Sequence, residues 1–156
     1  MSKVLCVARN YAAHAAELAN PIPVEPFFFL KPWSSALREG EGKIRIPGKE
    51  KNAHHEVELG VFIGTRATRV SKADAMSHVS GYCCAIDVTG RDMQAEAKSK
   101  GHPWTEAKGY DTFMPISSTF DVDDPSSLEL WLKVNGEDRQ RDSTSLMLFG
   151  VPELIE

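Results

Sequence analysis

Cysteine is scarce in this chain, with only three in 156 residues and two of those adjacent, Cys83 and Cys84. An odd count without framework spacing argues against a disulfide scaffold and for reduced thiols in an intracellular compartment, packed in core strands. Long apolar runs are missing as well. None approaches the roughly 18 residues of a membrane-spanning helix. The opening Met1-Ser2-Lys3-Val4-Leu5-Cys6-Val7 lacks the apolar stretch of a secretory signal and reads instead as a first strand. The expected location is cytoplasmic, or mitochondrial in a eukaryote. Basic blocks are also lacking: 18 Lys and Arg face 22 Asp and Glu for a formal charge of −4, and the cations are scattered. That distribution excludes nucleic acid and anionic membrane as expected partners. With no repeat, low-complexity tract or linker, residues 1–156 read as one domain, and 42% hydrophobic residues suffice for a core.

What is present is mostly strand. Residues 3–8, Phe27 to Leu30, Lys43 to Ile46, 55–63 and 82–88 carry the β-branched, aromatic and apolar runs of strands. Leu128 to Val134, Asn135-Gly136 and the polar run after it predict a hairpin with a type I′ turn. Helices are few and short. Asn10 is a candidate cap for a helix over 11–19 ended by Asn20 and Pro21, and Asp74 to His78 suit a short helix. Thr89 is a candidate cap for a helix over 91–100 stopped by Gly101, and Pro152 to Glu156 looks like a helix opening.

The chemistry concentrates in His54-His55-Glu56-Val57-Glu58-Leu59-Gly60. Strand alternation places His54, Glu56 and Glu58 on one face. Two ionised carboxylates beside a core lose hydration and repel each other, at a cost of several kcal/mol per ion. A divalent cation would compensate, and Asp87, inside an apolar run, is the candidate third ligand for a hard cation such as Mg²⁺ or Mn²⁺. Alternatively, Asp87 caps its turn while one glutamate faces solvent. A zinc site from His54, His55 and His102 has no supporting spacing.

Three further groups stay open on spacing alone. His14 and Glu17 share a helix face, as a carboxylate-oriented base or as a surface pair. Arg91 and Gln94 share the first turn of the 91–100 helix, as a carboxylate fork or as a solvated face. Lys108 is an isolated lysine in a predicted loop.

Five segments occurring in order resemble the fumarylacetoacetate hydrolase family, in particular its acylpyruvate hydrolase and oxaloacetate decarboxylase branch. They are Arg9-Asn10-Tyr11-Ala12-Ala13-His14, Phe29-Leu30-Lys31-Pro32, His54 to Gly60, Asp87-Val88-Thr89-Gly90-Arg91-Asp92-Met93-Gln94, and Pro103-Trp104-Thr105-Glu106-Ala107-Lys108. The resemblance runs from about Val4 to Pro152. It implies an α+β, strand-rich mixed β-sheet roll with short helices, usually a homodimer. It makes Glu56, Glu58 and Asp87 ligands of Mg²⁺, with Mn²⁺ or Ca²⁺ as substitutes. It also makes His14 and Glu17 the pair that activates water and Lys108 the lysine beside the metal, and gives Arg91, Gln94 and Lys31 to the substrate. The implied activity is Mg²⁺-dependent cleavage of a C–C bond in acylpyruvate-type acids, or decarboxylation of oxaloacetate. Enol–keto tautomerisation and a non-catalytic binding role are the alternatives. Members of the family continue through a Gly-Thr-Pro-containing loop, so the chain reads as C-terminally incomplete.

Overall fold

The computed structural model describes residues 3–17 and 21–156. In chain order its strands are β1 (Lys3–Ala8), β2 (Phe27–Pro32), β3 (Ala36–Arg38), β4 (Ala53–His54), β5 (Val57–Ile63), β6 (Val79–Ile86), β7 (Thr89–Gly90), β8 (Met114–Ile116), β9 (Glu129–Val134) and β10 (Glu137–Ser143). The helices are α1 (Ala12–Glu17), α2 (Arg91–Lys100), α3 (Thr105–Lys108) and α4 (Val151–Ile155). Strands β3-β8-β6-β5 form a four-stranded sheet, in which β3 runs parallel to β8 and β6 antiparallel to it. The pairs β1-β2, β4-β7 and β9-β10 make three two-stranded sheets. This is the mixed, strand-rich α+β arrangement that the sequence resemblance implies. Among the described residues no helix is long and apolar enough to cross a membrane.

The chain divides into two compact units. One comprises Met1–Cys6, Phe28–Glu58 and Cys84–Ser118, and its core includes Val88, Met93, Ala107, Phe113 and Met114. The other comprises Val7–Phe27, Leu59–Cys83 and Thr119–Glu156, with Ala15, Ala75, Tyr82, Leu132, Phe149 and Val151 buried. The β9–β10 hairpin lies in the second unit. Asn135 (φ 54°) and Gly136 (φ 84°) both take the left-handed conformation that the type I′ turn demands.

Several local expectations fail for identifiable reasons. Lys43 to Ile46 is not a strand: it lies between Gly42, at φ 145°, and Pro47, and both Ile44 and Ile46 are exposed. The predicted strand over 55–63 starts at Val57, because Ala53 and His54 pair instead with Gly90 and Thr89. Glu56 therefore sits in the link between two strands. Asn10 forms no helix cap in the structure. Its carboxamide reads the backbone of Phe149 from both sides, donating through Nδ2 (3.0 Å) and accepting at Oδ1 (2.9 Å), as a paired strand would. The predicted helix end at Asn20 lies outside the described residues. Of the cysteines, Cys83 is buried, Cys84 beside it on β6 is exposed, and Cys6 is half-buried.

The helix that carries Arg91 and Gln94 begins with an unexpected cap. Gly90 provides no side chain, and the Thr89 hydroxyl turns elsewhere. Glu50 reaches in from a distant loop and accepts from the N–H groups of Asp92 (3.3 Å) and Met93 (3.2 Å), and also of Asn52 (2.8 Å). Burial alone would raise this carboxyl's pKa, but the three backbone donors hold it below the ordinary value. A Cβ at Gly90 would lie 2.5 Å from Glu50 Oε2 and closer still to the Met93 methyl. Gly90→Ala is therefore expected to displace the cap and to cost about 1–2 kcal/mol in urea unfolding. An unchanged midpoint would refute the capping role. The far end closes on Gly101 at φ 66°, with the N–H of His102 returning to the Ala97 carbonyl (2.8 Å).

Candidate active site

The buried Lys31, Glu56, Asp87 and Lys108 of the first unit converge near the ends of β4, β5 and β6. The N–H of Asp87 donates to the Glu56 carbonyl (2.8 Å), and that of Val88 to Phe113 (3.0 Å). These two bonds tie the link after β6 to the link before β5 and to the turn before β8. Asp87 thus stands just past its strand end and beside Glu56, although 31 residues separate them in sequence.

Three acids meet three cations here. Lys108, 3% exposed at the end of α3, donates from Nζ to Glu56 Oε2 (2.8 Å) and to Asp87 Oδ2 (2.5 Å). The same ammonium lies over the Phe29 ring, 4.7 Å from its centroid. Arg91 donates from one terminal nitrogen to Glu56 Oε1 (2.5 Å) and from the other to Gln94 Oε1 (2.8 Å). The Thr89 hydroxyl completes Glu56 by donating to Oε2 (2.9 Å). Lys31 is 2% exposed and sits 2.8 Å from Asp87 Oδ1. Its protons, however, go to the carbonyls of Val88 (3.0 Å), Lys108 (2.6 Å) and Phe113 (2.9 Å). An ammonium has three donors. Asp87 Oδ1 is consequently a buried acceptor with no hydrogen-bond partner among the described residues.

Burial sets the protonation states. It pushes the Glu58 carboxyl up to about 8, helped by the negative charges of Asp87 and Glu56 and opposed by Lys108. Burial also lowers the Lys31 ammonium, against the pull of Asp87. The Cys6 thiol is driven to about 12, first by burial and then by the Asp87 charge, so it stays neutral.

Glu56, Glu58 and Asp87 present oxygen only, the donor set of a hard divalent cation. Asp87 Oδ1, a buried acceptor with no hydrogen-bond partner among the described residues, leaves an oxygen of this set open, so the residues fit such an ion. Among the described residues no three His, Cys, Asp or Glu side chains form a ready metal cage. Lys108 stands between Glu56 and Asp87 instead. His54 and His102, offered for zinc by sequence, are both exposed.

The structure narrows some of the open alternatives. Arg91 and Gln94 are not a solvated face, since Gln94 is 5% exposed. Lys108 is helical and buried rather than a loop lysine. Asp87 ends its strand, but with two lysines on it. The His14 and Glu17 side chains approach to 3.7 Å (Nδ1 to Oε2) on α1, in the other unit, with Glu17 largely exposed. Lys31, expected to hold substrate, is buried with its ammonium on the carbonyls of Val88, Lys108 and Phe113. Sequence reasoning missed Glu50, Thr89 and Phe29. Thr89 stood two residues after Asp87 and could have been suspected, whereas nothing local marks Glu50 as the cap of a helix some 40 residues on.

Comparison with known proteins agrees with this architecture. The model of the fumarylacetoacetate (FAA) hydrolase C-terminal family matches residues 3–156. The mitochondrial oxaloacetate tautomerase FAHD1 of Arabidopsis thaliana is 54% identical, over 99% of this chain and 70% of its own length. The mitochondrial oxaloacetate decarboxylase of Dictyostelium discoideum is 51% identical, over 99% and 72%. Fumarylpyruvate hydrolase from Pseudomonas aeruginosa, solved with Mn²⁺ and pyruvate, superposes with a TM-score of 0.92 at 34% identity, over 99% of this chain and 70% of that one. The sequence, the fold and the acid–lysine cluster lead to one assignment: this chain belongs to the fumarylacetoacetate hydrolase C-terminal family.

Proposed function

We propose that the chain acts on small 2-keto acids of the oxaloacetate and acylpyruvate type through their enolates, with oxaloacetate tautomerisation as its best-supported reaction. The observation that carries this reading is Lys108, a buried ammonium bridging two acids where negative charge on an enolate oxygen would develop. Such a preorganised cation stabilises that charge most in a water-poor site. Arg91 supplies the second element. Its Nε is buried without a hydrogen-bond partner among the described residues, a donor left for a substrate carboxylate. Gln94 fixes the guanidinium plane from the neighbouring turn. Glu56, Glu58 and Asp87 would hold Mg²⁺ or Mn²⁺, which when bound supplies Lewis-acid polarisation of the 2-keto oxygen. The Mn²⁺ and pyruvate in the Pseudomonas aeruginosa neighbour support this part of the proposal.

Decarboxylation and C–C hydrolysis form the second reading, because both pass through the same enolate. Two relatives' names favour it, decarboxylase and fumarylpyruvate hydrolase. Hydrolysis needs a base for water as well, the role assigned to His14 with Glu17 orienting its ring. Tautomerisation does not. With oxaloacetate and an acylpyruvate as substrates, EDTA should abolish turnover and Mn²⁺ or Mg²⁺ restore it, and Glu56→Ala should lose every activity. His14→Ala should lose hydrolysis by about 10²–10⁴-fold and tautomerisation far less. Equal loss of both would contradict the role of His14, and turnover unaffected by EDTA would remove the metal. We further propose a homodimer, supported by the exposed Leu5, Phe28 and Leu30 on paired strands β1 and β2 and tested by sedimentation.

A further inference from the structure

We infer that Lys31 is a positioning residue that sets Lys108 and Asp87, and that it does not contact substrate. The inference deepens the reading above and rests on it for its kinetic arm only. Lys31 is the largest fully buried side chain among those described. Its ammonium joins three backbone points: Val88 after β6 and Phe113 before β8, which also bond each other, and Lys108 at the end of α3. The shortest bond, 2.6 Å, goes to the carbonyl of Lys108 itself, the residue whose side chain bridges Glu56 and Asp87. α3 is one turn long: it holds the Lys108 N–H through the Trp104 carbonyl (3.0 Å), but the Lys108 carbonyl, in the last turn, has no partner within the helix. Lys31 supplies the partner for that carbonyl and so fixes the C-terminal end of α3 from outside.

Charge is the other half of the role. Lys31 neutralises Asp87 from 2.8 Å while its well-aligned bonds go to three carbonyls, and Oδ1 has no aligned donor among the described residues. The carboxylate stays near a cation while keeping a lone pair bare. Glutamine at this position would keep part of the reach and two donors but lose the charge and the threefold clamp.

The tests separate positioning from substrate contact. In Lys31→Gln, kcat for oxaloacetate should fall about tenfold or more while KM stays within about twofold, because Arg91 and Gln94 are untouched. The double variant Lys31→Gln, Lys108→Gln should be no slower than Lys108→Gln alone, since a residue acting through another adds nothing once that one is gone. A raised KM at constant kcat, or additive losses, would overturn the proposal. Independently of any activity, Lys108 should acylate faster with an amine-reactive reagent in Lys31→Gln than in the wild type, read by mass spectrometry; an unchanged rate also overturns it. If oxaloacetate is not turned over by the wild type, the functional reading fails and the labelling result still decides the role of Lys31. If Lys31→Gln does not fold, ¹⁵N spectra of the wild-type lysine ammonium groups decide it. Added pyruvate should move the Lys108 signal and leave that of Lys31 in place, whereas a shifted Lys31 signal, or no shift at Lys108, contradicts it.

Discussion

Asp87→Ala is expected to be the most damaging single change in this chain, lowering the unfolding free energy by about 3–5 kcal/mol. Asp87 faces Lys31 at 2.8 Å and Lys108 at 2.5 Å, and those lysines are 2% and 3% exposed. Truncation leaves two buried ammonium groups sharing what remains. Lys108 keeps Glu56, but Lys31 keeps only carbonyls. A buried charge stripped of its partner costs far more than the pair was worth, because the desolvation is already spent. Asp87→Asn keeps the shape and one acceptor for Lys108, so it should lose less stability. Both variants should nevertheless lose turnover, since neither presents a carboxylate. Urea unfolding of the three proteins checks this. A loss under about 1 kcal/mol for Asp87→Ala would mean that solvent, not Asp87, compensates the lysines.

The second large effect is a stability that falls as pH rises, and that a cation abolishes. Glu58 holds its proton up to about pH 8 in the folded chain, against an ordinary value of 4.5. Between those two values the unfolded chain has released this proton and the native chain has kept it. The native state binds more protons, so unfolding free energy declines with rising pH, by at most about 1.4 kcal/mol per pH unit from this group. The contribution is complete below pH 4.5 and gone once pH has risen through 8. Divalent cation binding requires the ionised carboxylate and works in the opposite direction. Urea midpoints in EDTA should therefore drop from pH 5 to pH 8, while midpoints in Mn²⁺ should not. Glu58→Gln should flatten the EDTA series without metal. Persistence of the slope in that variant would falsify the assignment to Glu58, and a Mn²⁺ series parallel to the EDTA series would argue against cation binding at these acids.

Local sequence decided what depends on near neighbours. The period-two runs gave β1, β5 and β6 to within a few residues, because a strand needs only alternation and β-branched side chains. Asn135-Gly136 dictated a left-handed turn, and Gly101 a helix stop, since those conformations cost other residues strain. Lys43 to Ile46 failed by the same logic, as an apolar pattern without a partner strand to bond. The acids of the site were legible too, because carboxylates inside apolar runs are expensive and ask to be explained.

Tertiary structure alone decided what those acids are matched with. Lys31, Lys108 and Arg91 sit on three different elements, and only the fold brings their charges within 3 Å of Glu56 and Asp87. Glu50 became a helix cap and Thr89 ceased to be one for the same reason: a hydrogen bond goes to whichever partner the packed chain delivers, whatever lies next in sequence. The physical reason is desolvation. A lysine written in a polar loop is ordinary in water, and the same lysine 3% exposed must find an anion. Sequence names the groups that cannot be buried alone, and the folded chain determines which of them share a site.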